Sequence, residues 1–72
     1  MDKKKVAETI KKLRIESKYN KEEVAGLVGI SSATLRSYEN GDVLVPLDVL
    51  YLMLQIYGIN ITKIYEMLNT YL

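Results

Sequence analysis

Apolar residues stand at Val6, Ala7, Ile10 and Leu13, and Arg14 and Ser17 continue the same stripe. Steps of three and four are the helical period, so the pattern predicts a first helix over Lys4 to Ser17. Lys, Glu and Arg on the remaining faces are good helix formers. Asn20 followed three residues later by Glu23 approximates a capping box for a second helix, about Lys21 to Val28. Val24, Ala25, Leu27 and Val28 form its apolar side, and Gly29 suits the left-handed position that ends it. Ser31 caps a third helix, about Ser32 to Asn40, with Leu35 and Tyr38 inward, and Asn40-Gly41 stops it. After the connector Asp42 to Val45, Pro46 fits the first turn of a fourth helix reaching about Tyr57, closed by Gly58. Asn60 caps a fifth, about Ile61 to Tyr71. Val43-Leu44-Val45 is too short to compete as a strand. The expected fold class is therefore all-α, a compact five-helix bundle, with residues 1–72 forming one domain.

Composition narrows what such a bundle does. Among 72 residues there is no Cys and no His. Disulfides, thiolate metal sites and the commonest general base are thereby removed, so no enzyme, metal or cofactor is expected. The apolar share of 49% and charged share of 26% are those of an ordinary folded domain. The longest apolar-rich stretch, Val43 to Leu54, is broken by Pro46 and Asp48 and falls well short of the roughly 20 residues needed to span a bilayer. No apolar stretch follows the basic start, so neither a signal peptide nor a membrane partner is expected, and a cytoplasmic setting is the default.

The net charge of +1 hides a segregation. Residues 1–21 hold eight basic and three acidic groups, net +5. Residues 22–72 hold two basic and six acidic groups, net −4. Such asymmetry points to a polyanion-facing region. Lys3, Lys4 and Lys5 either belong to that region or merely solubilise the chain start.

Two short helices joined by a Gly-containing turn are the signature of a helix-turn-helix, here about residues 21–40. Ala25 is small where the two helices approach, Gly29 frees the turn, Ile30 plugs the corner, and Leu35 anchors the later helix. A generic helical hairpin shares several of these features. On Ile10, Leu13-Arg14, Asn20 to Ala25, Val28 to Ser31, Thr34-Leu35, Tyr38 to Gly41, Leu47 to Leu50 and Gly58 to Asn60, the stretch Val6 to Leu68 resembles the Cro/cI-type (xenobiotic-response-element) helix-turn-helix domain of phage and bacterial repressors.

The resemblance implies a lambda-repressor-like DNA-binding domain with its third helix in the major groove of double-stranded DNA. Carried over by position, Ser32, Ala33, Arg36 and Ser37 face base edges. Arg36, able to donate two hydrogen bonds to guanine, is the dominant reader. Lys21, Thr34 and Asn40 contact phosphate, helped by the N–H groups opening the second and third helices. Thr34 packs if it does not reach. Arg14 and Glu39 are paired in the family, joining the first helix to the end of the third.

The chain departs from the family after Gly41. Many members carry Lys or Arg there, whereas this connector is acidic and apolar. The fourth helix is apolar almost all round. Leu47, Leu50, Met53, Leu54 and Tyr57 suit the core. Val49, Leu52 and Ile56 then make a second stripe, with Tyr65, Leu68 and Leu72 from the fifth helix as neighbours. Either the fifth helix covers that stripe, or the helices over about 47–71 together with the apolar connector form a homodimer interface or bind another protein. The leading expectation is a sequence-specific transcriptional regulator, foremost a repressor, working as a homodimer on a palindromic operator. The alternative is an antitoxin-like or adaptor interaction module on the same fold.

Overall fold

A computed structural model describes residues 2–60, 62, 63, 65, 66 and 69. Four helices are bounded in it: α1 (Lys3–Glu16), α2 (Lys21–Val28), α3 (Ser32–Asn40) and α4 (Leu47–Ile56). No strand occurs among the described residues. Local chemistry sets each boundary. The Asp2 carboxylate accepts from the Lys4 and Lys5 amides and opens α1. At α2 the capping box is complete: Asn20 Oδ1 accepts from the Glu23 amide at 2.8 Å, and Glu23 Oε1 accepts from the Asn20 amide at 3.0 Å. Gly29, at φ 84°, closes α2 in the left-handed region. The Ser31 hydroxyl accepts from the Thr34 amide at 3.1 Å and starts α3. At the end of α1 the left-handed residue is Lys18, φ 65°, a position the pattern did not single out.

The bundle has four bounded helices, where five were expected. Of the stretch assigned to the fifth, Thr62, Lys63, Tyr65, Glu66 and Asn69 have helical backbone. Asn60 Oδ1 accepts from the Lys63 amide at 2.8 Å, an N-cap contact. All five of those residues are exposed, so none of them anchors the segment in the core. The remainder of that stretch lies outside the described residues.

Val6, Ile10, Val24, Ala25, Leu35, Val45, Leu50, Met53, Leu54 and Tyr57 form the core, with α1 packed on α3 and α2 packed on both α3 and α4. Fully burying one large aliphatic side chain contributes about 1.5–3 kcal/mol. Two residues expected inward are not. Leu27 is 62% exposed; at 100° per residue it lies about 105° round α2 from the mean direction of Val24, Ala25 and Val28. Leu47 is 59% exposed, while Val45, just before Pro46, and Leu50, in the first turn of α4, are buried. No helix among the described residues is long and apolar enough to cross a membrane.

Candidate nucleic-acid interface

The geometry of the site follows from how α3 is held. Leu35 is fully buried, Tyr38 packs on the core, and Glu39 is buried. On a wheel of 100° per residue these three centre about 140° away from the centre of Ser32, Ala33, Arg36, Ser37 and Asn40. Burying one stripe therefore turns the other outward. Ala33, Arg36 and Asn40 are exposed, and Ser32 and Ser37 are partly so. Among the described residues Arg36 donates no hydrogen bond, so its guanidinium is free to bond elsewhere.

Arg14 and Glu39 lock this orientation. Arg14 Nε donates to Glu39 Oε2 at 2.7 Å and Nη2 to Glu39 Oε1 at 3.0 Å, a two-point fork between α1 and the last turn of α3. Nη1 donates to the Tyr19 carbonyl at 3.0 Å, so the segment after α1 is held by the same group. The side chains are only 10% and 1% exposed. The hydrogen bond to Glu39 holds the Arg14 pKa above its ordinary value, against the opposing effect of burial. Tyr57 sits close enough to feel both charges, and burial pushes its hydroxyl pKa up. That hydroxyl is buried without a hydrogen-bond partner, while its ring tilts against Tyr19 at a centroid distance of 6.5 Å.

The two helix starts differ. The first turn of α2 carries Glu22 and Glu23, which oppose an approaching phosphate, whereas the first turn of α3 carries no acidic residue. Lys21, partly buried, opens α2. Thr34 is partly buried and its hydroxyl is 2.8 Å from that of Ser31, which places it in the cap.

Of the apolar stripe, Leu52 (44%) and Tyr65 (67%) are exposed, and Val49 and Ile56 are partly buried against the core. Leu68 and Leu72 lie outside the described residues. Val43, Leu44, Leu47 and Tyr51 are exposed too. The apolar connector was expected to take part in the homodimer interface, and its Val43 and Leu44 lie on the surface.

Lys3 and Lys4 were left between two roles, a polyanion-facing region and a solubilising chain start. Lys3 Nζ donates to the Asp42 carbonyl at 3.4 Å and Lys4 Nζ to the Asn40 carbonyl at 3.3 Å, so the start of α1 lies against the end of α3.

A family model described as helix-turn-helix matches residues 10–64, most of the chain. Neither a curated protein nor a solved structure matches it.

Proposed function

From the premise that the chain belongs to the Cro/cI-type helix-turn-helix family, whose members are DNA-binding transcription regulators, we propose that it represses transcription as a homodimer on a palindromic operator. Each protomer lays α3 in the major groove, and the two copies lie about 34 Å apart, one turn of DNA. Arg36 reads guanine through O6 and N7. Ser32 and Ser37 bond to neighbouring base edges, and Ala33 packs on a thymine methyl. Lys21 and Asn40 hold phosphates, and Thr34 serves the α3 cap rather than the backbone of DNA.

The observation that supports this reading most is the outward stripe of α3. An uncommitted Arg36 stands between small polar neighbours on a helix fixed from behind by the Arg14–Glu39 fork. Such a helix needs no reorientation to enter a groove, so binding has only the exposed side chains left to order. The homodimer rests on the exposed Val43, Leu44, Leu47, Tyr51 and Leu52, a run of apolar surface that a monomer would leave in water.

That same run favours one other reading, an antitoxin-like or adaptor module whose apolar surface binds a different polypeptide. Selection of bound sequences from a random duplex pool separates the two. The repressor reading predicts an enriched inverted repeat with guanine in each half-site and half-site centres about 10 base pairs apart. Absence of enrichment at about 50 mM salt leaves the interaction module standing.

A further inference from the structure

We propose that Lys3 and Lys4 form a phosphate-binding site with Asn40, supplying from the start of α1 the cations that the connector after Gly41 lacks. The inference rests on the DNA-binding reading and adds residues that it does not contain. It begins from a problem of sign. Asn40 sits in the last turn of α3, where unpaired carbonyls carry partial negative charge, and Asp42 adds a full one two residues later. A phosphate brought to Asn40 would be repelled by both.

The fold answers at the same place. Lys4 Nζ donates to the Asn40 carbonyl at 3.3 Å and Lys3 Nζ to the Asp42 carbonyl at 3.4 Å. Two ammonium groups therefore stand at the backbone carbonyls of Asn40 and Asp42, against the single acidic side chain the connector carries, and the summed local charge becomes positive. Neither lysine sits on a loose tail. The Asp2 cap starts the helix ahead of them, and Val6 and Ala7, directly behind, are buried. The aliphatic stem of Lys4 lies across Gly41, where a Cβ would come within 2.8 Å of Lys4 Cδ. A glycine at φ 76° thus both ends α3 and leaves room for the lysine to reach the carbonyl. Both lysines are exposed, and each ammonium bonds through one of its three protons, which leaves donors for a phosphate oxygen.

The test is a salt titration of duplex binding. Lys3→Gln/Lys4→Gln is compared with Lys11→Gln/Lys12→Gln, which removes the same charge from further along α1. Log K against log[salt] should become shallower by about 1.8 for the first pair, about 0.9 for each lost phosphate contact, and by much less for the second. The preference between operator and scrambled duplex should not change, because phosphate contacts carry no sequence. Lys4→Arg should bind like wild type, and circular dichroism should show every variant folded. Equal slope changes in both double variants, or no change in either, overturn the proposal. Wild-type protein that binds no duplex at low salt overturns the DNA reading, and the phosphate site with it.

Discussion

The two ends of α3 and α4 handle their exceptional residues in opposite ways. Where α1 meets α3, charge is taken inside: Arg14 and Glu39 are buried together, beside the buried Ile10 and Leu35. Along the connector and α4, apolar groups are left outside, with Val43, Leu44, Leu47, Tyr51 and Leu52 exposed beside a buried Val45, Leu50, Met53 and Leu54. The first region is satisfied by contacts within one chain, whereas the second leaves apolar side chains exposed. Under the proposed homodimer, one end of the molecule holds a helix in place and the other meets the second copy.

The sharpest way to break the first region is Glu39→Ala. It strands the Arg14 guanidinium in a site that has lost the carboxylate bonded to it, and chemical denaturation should register a loss of about 3–5 kcal/mol. A loss under about 1 kcal/mol would mean that the pair behaves like a surface bridge. The second region is broken by Leu52→Lys. Analytical ultracentrifugation should show the dimer dissociation constant rising about thirtyfold or more, roughly 2 kcal/mol, with the fold intact because Leu52 is not in the core. An unchanged constant removes Leu52 from the interface.

A smaller effect lies at the inner edge of the first region. Burial, with Glu39 adding and Arg14 opposing, raises the Tyr57 pKa. The unfolded chain releases that proton near pH 10 and the folded chain only above it. The native state therefore binds more protons in that window, and stability is full below about pH 10 and falls as pH rises beyond it. Tyr57→Phe should remove this fall. At neutral pH it should be neutral or stabilising by up to about 1 kcal/mol, because the hydroxyl it deletes has no partner. A clear destabilisation at pH 7 would show that the hydroxyl is satisfied.

The smallest effects sharpen the background against which both regions are judged. Lys18 stands in a left-handed conformation and Gly26 in the middle of α2, facing open space. Lys18→Gly and Gly26→Ala should each stabilise by about 0.5–1 kcal/mol. A loss on Gly26→Ala would mean that the bare backbone is packed against something a monomer does not show.

Much of this was legible in the chain because its punctuation is local. Asn20 with Glu23, Ser31, Gly29 and Gly41 each act within four residues, so α2 and α3 fall where the pattern put them. Arg14 and Glu39 are 25 residues apart, and only family resemblance brought them together. Leu27 was grouped with the apolar side of α2 although its angle sets it apart, whereas Leu47 shows that sharing an apolar face does not guarantee cover by a neighbour. The Lys3 and Lys4 contacts with the end of α3 depend on the angle at which α1 crosses it, and that angle leaves no trace in spacing. Four helices are bounded among the described residues in place of five, and the described residues of the last segment have helical backbone and are all exposed.

The central claim is that α3, held from behind, reads base edges through Arg36. The most direct test is the ratio of affinities for a selected operator and a scrambled duplex, measured at one salt concentration for wild type and Arg36→Ala. The account predicts that the ratio falls about ten- to a hundredfold in the variant, roughly 1–3 kcal/mol of lost discrimination, while affinity for scrambled DNA changes little. Equal weakening on both duplexes would contradict it and leave Arg36 as one more phosphate contact.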